Sequence, residues 1–325
     1  MTRDYWNRSK IPPNPGRPSH EAGPKWAPHS RHSIPEHEQA FLMNGNQTIL
    51  AIDAAWTASQ PSGVALVQQR VNGWRCVALA PSYQSFMEMA AATSLDWTVT
   101  RFPGSEPDTS RLLEAAGELV GTSVDLVTLD MPVARSRFDT RREADRAVSR
   151  EFSSRWCAAH SPTAARPRLL GARISDALSK AGYELATTAT ASPGGRQFLE
   201  VYPHPALLSL LRRPRRVPYK VSKFRKYWPG ESVSGRIQNL LIEFIAIRDA
   251  LVQVFDGLRL GLPEPATMKS LSALKRYEDA LDALVCAWVG VEYLAGRVVP
   301  LGNDDAAIWC PADVVRVRGQ GQRGG

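Results

Sequence analysis

Residues 48–56 read TILAIDAAW, an apolar run with one carboxylate, Asp53, in its middle. An isolated acid in a buried strand costs free energy unless it is paired or metal-bound. That position restricts the chain to folds that turn this strand's acid toward a partner. The next two strand candidates are 62–68 (SGVALVQ) and 74–80 (WRCVALA), linked through Pro61-Ser62-Gly63 and Asn72-Gly73. Those links carry turn chemistry, so the three strands predict an antiparallel meander.

The pattern then changes period. Residues 110–120 place Leu112, Leu113, Ala116 and Leu119 on one helical face. Residues 124–130 (VDLVTLD) read as a strand ended by Met131-Pro132, because proline cannot donate to a ladder. Helices are expected at 140–152 and 170–182, a strand at 197–202 (QFLEVY), long helices at 236–255 and 270–293, and a closing strand at 307–310. Hairpins followed by a helix and a buried strand predict an α/β fold with a mixed sheet.

Two acids lie at telling places on these strands. Asp53 is inside the first and Asp130 ends the fourth, where α/β folds build sites at carboxyl edges. Glu200 lies in the next strand, and Asp279 and Asp282 are three apart on the last helix. Carboxylates brought together repel one another, and a hard divalent cation relieves that repulsion. The catalytic candidates are thus Asp53, Asp130, Glu200 and Asp282, with Asp53, Asp130, Asp282 and Asp279 as ligands for Mg²⁺ or Mn²⁺. Other readings stay open: a backbone-bonded acid at Asp53, an Asx turn at Asp130, an arginine partner for Glu200, and solvated helix acids at Asp279 and Asp282.

Composition narrows the class. The 325 residues are 43% hydrophobic and 22% charged, with a formal net charge of +8. That content supports a sizeable core, and the positive balance favours polyanionic partners. The four cysteines, Cys76, Cys157, Cys286 and Cys310, form no CxxC pair, so reduced, mostly buried thiols are expected. No apolar run approaches a membrane span, and the N-terminus lacks a signal-peptide core, so a cytoplasmic chain without membrane association is expected. Residues 1–45, rich in Pro and Arg, and residues 313–325 are expected to be flexible tails around a domain at 46–312.

The acids and their flanks resemble the ribonuclease-H-like superfamily and, more narrowly, the DUF429 proteins, a group described as predicted nucleases of that fold. The matching pieces are Ala51-Ile52-Asp53-Ala54-Ala55-Trp56 with Pro61-Ser62-Gly63-Val64-Ala65, then Leu129-Asp130-Met131-Pro132, Arg142-Glu143-Ala144-Asp145 and Leu199-Glu200-Val201-Tyr202-Pro203. Asp279-Ala280-Leu281-Asp282-Ala283-Leu284 and Ile308-Trp309-Cys310-Pro311 complete them, over about residues 47 to 312. The resemblance implies a ribonuclease-H-like sheet with a helical insertion at about 135–195. It implies Asp53 and Asp130 as metal ligands, with Asp282 or Asp279 as the last-helix acid. Many nucleases of the superfamily carry an acid on the first helix, where this chain offers Glu114 and Glu118 without a recognisable motif.

Residues 212–228 read RRPRRVPYKVSKFRKYW, mixing cations with Tyr219, Phe224, Tyr227 and Trp228. Cations neutralise phosphates and aromatics stack on bases, so Arg212, Arg213, Lys220 and Lys223, with Arg142, are candidate nucleic-acid contacts. A solvated insertion loop is the competing reading. His160 and His204 are the two histidines of the ordered region; a structural role is the expected one for His204, with a general base or a metal ligand as the other reading. The functional expectation is a metal-dependent nuclease acting on DNA or RNA. A catalytically inactive nucleic-acid-binding protein is the alternative. An ATPase or phosphotransferase stands further off, because Gly-rich phosphate loops are missing.

Overall fold

The computed structural model describes residues 46–98, 101–163, 165–167, 169–268 and 270–316. The expected tail at 1–45, and residues 317–325 of the other, lie outside the described residues. The meander forms as β1 (Thr48–Asp53), β2 (Gly63–Arg70) and β3 (Gly73–Ala80), paired antiparallel. Two helices follow, α1 (Tyr83–Ala90) and α2 (Thr109–Val120). Asp108 caps α2 through the Arg111 N–H at 3.1 Å, and Gly121 closes it at φ +74°, in the left-handed region that favours glycine.

Then come β4 (Leu126–Leu129), α3 (Glu143–Phe152), α4 (Leu170–Lys180), β5 (Glu184–Leu185), β6 (Gln197–Val201) and α5 (Pro203–Leu210). The chain continues with α6 (Phe224–Tyr227), α7 (Val233–Val252), β7 (Phe255–Asp256), α8 (Lys275–Leu294), β8 (Val298–Gly302) and β9 (Ala307–Pro311). The nine strands form one mixed sheet in the order β7-β3-β2-β1-β4-β6-β9-β8, with β5 also on β6. β1, β4, β6 and β9 run parallel, and β8 returns antiparallel to β9. The protein is thus α/β, with a mixed sheet flanked by helices.

Strand parity decides which side chains reach which face. Leu50, Ile52, Leu66, Val127, Leu129 and Phe198 share one buried cluster with helices α1, α2 and α4. The alternate residues, Ile49, Ala51 and Asp53 on β1 and Thr128 on β4, turn to the other face. There α8 lies across β1, β2 and β4, buried on nearly all sides. A Cβ at Gly290 would stand 2.9 Å from Thr128 and 3.1 Å from Ile49, so this glycine lets the helix sit close on the sheet.

Several elements differ from expectation. α1, α5, β7 and β8 were not anticipated. The long helix before β7 starts three residues earlier than expected and stops at Val252, because Phe255 and Asp256 pair with β3. α8 starts at Lys275 because Leu271–Leu274 is a 3₁₀ turn. The chain stays ordered past the expected end of the domain: Asp313 accepts from the Ser209 hydroxyl at 2.7 Å, and the Arg316 N–H donates to Glu151 at 2.9 Å. No helix among the described residues is long and apolar enough to cross a membrane. The four cysteines are free and buried.

Candidate active site

β1 and β4 end side by side. Ile52 pairs with Leu129, and the Asp130 N–H donates to the Ile52 carbonyl at 2.9 Å. Asp53 and Asp130 therefore occupy the next paired positions, on backbones about 4.8 Å apart, and both turn toward α8. Asp53 also pairs across the meander with Gly63. A Cβ at Gly63 would stand 2.1 Å from the Asp279 carbonyl oxygen, so the first turn of α8 presses directly on this glycine. That contact sets Asp279 beside Asp53.

α8 delivers a polar stripe. Lys275, Glu278, Asp279 and Asp282 follow the i, i+3, i+4, i+7 spacing of one helical face. The three acids are at most 2% exposed. Glu278, in the first turn of α8, gains from the helix dipole, which offsets part of its burial cost. The 212–228 segment crosses this stripe. The Tyr219 hydroxyl donates to Asp282 at 2.5 Å, and the Lys220 ammonium binds the other Asp282 oxygen and approaches Glu278 at 3.4 Å. Glu278 also accepts the Val221 N–H at 2.5 Å and Lys275 at 2.9 Å, while Lys275 pairs with Asp279 as well.

Five carboxyl groups thus share two lysines. Among the described residues, neither Asp53 nor Asp130 has an ion-pair partner, and one buried oxygen of Asp279 has no hydrogen-bond partner. Asp53, Asp130, Asp279, Lys220, Lys275 and Trp56 line a cavity of about 480 Å³. Electrostatics follow. Loss of hydration pushes Asp53 up to about 7, with Asp279 adding to the shift and Lys220 opposing it. Burial raises Asp282 to about 7 against Lys220, and Asp279 to about 6 against Lys275. Asp130 is pushed well above the carboxylate range by burial and then by Asp53. Against its burial, Glu278 is held low by Lys275 and Lys220. Cys286, one turn beyond Asp282, is kept a thiol by burial and by the Asp130 and Asp53 charges.

The sequence candidates separate cleanly. Asp53, Asp130, Asp279, Asp282 and Lys220 come together. Glu200 does not: its pairing with Leu129 puts it on the opposite sheet face, alongside Phe198. Both its oxygens take Arg142, at 2.6 and 2.7 Å, and the Val133 N–H adds a third bond at 3.0 Å. Arg142, expected to contact nucleic acid, is 6% exposed. Its remaining N–H groups bind Asp145 and the Val133 carbonyl, so all five guanidinium donors are engaged internally. Arg142 is a fastener between α3 and β6 rather than a phosphate contact. Glu114 and Glu118 are exposed on α2, across the sheet from Asp53.

The basic segment is neither free loop nor uniform contact surface. Tyr219 is fully buried and Lys220 belongs to the acid cluster, whereas Arg212 is exposed and Arg213 faces Glu243 at 3.8 Å. Lys223 is half-buried beside the cluster. Sequence reasoning missed Lys275 and Glu278, and it read Tyr219 as an aromatic for stacking on bases, which its full burial excludes. The first two were readable, because they complete the polar stripe through Asp279 and Asp282 on an otherwise apolar helix. The Tyr219 bond to Asp282 carried no signal of its own.

The donor set suits a hard cation in one specific way. Among the described residues, no three Asp, Glu, His or Cys side chains form a ready-made metal cage. Two unpaired carboxylates with an open cavity match instead a cation held by one or two carboxylates and completed by water and phosphate oxygens, the habit of Mg²⁺. The unpartnered Asp279 oxygen borders the same space.

A family model described as "Protein of unknown function (DUF429)" matches residues 52–307. No curated protein and no solved structure matches the chain.

Proposed function

The chain belongs to the DUF429 family of proteins of unknown function, and from that premise we propose that it is a divalent-metal-dependent nuclease of the ribonuclease-H-like type. The fold part of this reading rests on the antiparallel meander followed by parallel strands. The activity rests on one observation: two carboxylates with no ion-pair partner among the described residues, Asp53 and Asp130, end adjacent parallel strands and face the same cavity.

Asp53 and Asp130 would hold Mg²⁺ or Mn²⁺, and Asp279 borders them. When bound, the cation supplies charge neutralisation at phosphoryl oxygens and acidifies water. The chain's own groups do the rest. Tyr219 and Lys220 fix the Asp282 carboxylate, so the wall behind the two ligands is rigid. Lys275 restrains Glu278 and Asp279, which limits repulsion before any ligand arrives. The positive charge of the chain favours a nucleic-acid substrate.

The test is cleavage of single- and double-stranded DNA, RNA, hybrids and branched junctions with Mg²⁺ or Mn²⁺. Cutting by the wild type that Asp53→Asn abolishes is the expected result. A wild type that cuts none of these substrates removes the proposal. A second reading has its own support: Lys220 and Lys275 already satisfy three of the acids. A nucleic-acid-binding protein without catalysis would bind salt-dependently, without metal, and equally well after Asp53→Asn.

A further inference from the structure

A second cavity of about 220 Å³ adjoins the first and shares Trp56, Asp130, His160, Lys220 and Lys275 with it. Its wall includes His160, His204, Arg216, Ser222 and Lys223, with Asp130 and Glu278 on the side of the acid cluster. Segment 212–228 and the first turn of α5 build it.

The wall is rich in hydrogen-bond donors. His204 is 4% exposed, and its Nε2 meets the Arg216 Nη2 at 2.5 Å. An arginine can only donate, so Nε2 is the acceptor and the neutral ring carries its proton on Nδ1. Burial, then Arg216 and Lys220, keep that ring uncharged. Among the described residues the Nδ1–H has no acceptor, and neither does the buried Arg216 Nε–H. Among the described residues, Arg216 and Lys223 have no carboxylate ion pair, unlike Lys220 and Lys275. The cavity wall therefore carries two cations without a carboxylate partner among the described residues, Arg216 and Lys223, and the Ser222 hydroxyl, beside Lys220, Lys275, Asp130 and Glu278.

We propose that this cavity is a phosphate subsite, in which Arg216, Lys223, Ser222 and His204 seat a phosphate group next to Asp130. For the identity of the ligand it rests on the nuclease reading, where this would be the phosphate neighbouring the one cleaved. The same chemistry would also accept free phosphate or a small phosphorylated molecule. Asp130 lines both cavities, so a phosphate seated here would lie beside one of the two proposed cation ligands.

The experiment is calorimetric titration of metal-free protein with inorganic phosphate, then with a short single-stranded oligonucleotide. It compares the wild type with Lys223→Ala, Ser222→Ala and, as a control of equal charge loss, Lys226→Ala, an exposed position of the same segment. Losing one charge-assisted contact should weaken phosphate binding about tenfold in Lys223→Ala and leave Lys226→Ala unchanged. For the oligonucleotide, Lys223→Ala should also lower the salt slope by about one. Phosphate binding with this Lys223 dependence sustains the subsite even in a protein that cuts nothing, in which case only the nuclease reading falls. Phosphate binding without oligonucleotide binding assigns the subsite to a small phosphorylated ligand. A wild type that binds no phosphate overturns the subsite, as does equal loss in Lys223→Ala and Lys226→Ala, even if the protein cleaves nucleic acid.

Discussion

The Asp130 N–H donates to the carbonyl of Ile52 at 2.9 Å, and this one ladder bond places Asp130 level with Asp53 on the next strand. Two acids set side by side on one face, both short of water, hold their protons too tightly. Their folded-state pKa values lie above the ordinary 3.8, for Asp53 at about 7. The folded protein therefore binds more protons than the unfolded chain between about pH 4 and 7, so these groups lower stability as pH rises through that window. Asp53→Asn removes the penalty. Its melting temperature at pH 8 should exceed that of the metal-free wild type, while cleavage falls by about 100-fold or more. Thermal melts and cleavage assays on the same preparation check both halves.

The same protons report the metal. A cation must displace them, so binding should release protons and tighten as pH rises. The melting-temperature gain from Mn²⁺ should be larger at pH 8 than at pH 5.5. Scanning calorimetry across that range reads this directly, and an equal gain at both pH values would contradict cation binding at the acids.

Arg142 and Glu200 form the buried pair on the other face of the sheet, with Asp145 as third member. Arg142→Ala leaves two buried carboxylates without a counter-charge, a change that costs about 3–5 kcal/mol. Urea denaturation should show that loss. The salt slope of nucleic-acid binding by the folded variant should not move, because all five guanidinium donors point inward.

Parity explains how much of this was legible in sequence. Thr48–Asp53 and Leu126–Leu129 are short apolar strands with acids at their ends, so their place and their Asp residues were readable. Glu200 looked equivalent, but its face depends on the register of β6 against β4, which no local pattern carries. Lys275 and Glu278 are readable from helical spacing, because they complete the polar stripe through Asp279 and Asp282. The role of Tyr219 and Lys220 was hidden, since a basic, proline-broken segment reads as a solvated loop until its partners across 62 and 63 residues are known. β7 is two residues long and pairs with β3 far back in the chain, beyond the reach of periodicity.

Gly63 is where the sheet and α8 meet most closely. Gly63→Ala would drive a methyl into the Asp279 carbonyl, 2.1 Å from the new Cβ, and two backbones would have to part. Overpacking of this kind costs about 1–3 kcal/mol. The larger effect should be on activity, because the displaced turn carries Glu278 and Asp279. Cleavage that survives unchanged in a destabilised Gly63→Ala protein would show that the α8 acids need not sit against β1.

The proposed role of Asp53 and Asp130 is to hold a divalent cation together. Its most direct test is calorimetric titration of Mn²⁺ at pH 8 into the wild type, Asp53→Asn, Asp130→Asn and Glu200→Gln, each checked for folding by circular dichroism. Binding should weaken by about 10- to 100-fold in both aspartate variants and stay within about twofold in Glu200→Gln, whose side chain lies across the sheet. A wild type that takes up no Mn²⁺, or aspartate variants that bind it as tightly as the wild type, would contradict the claim.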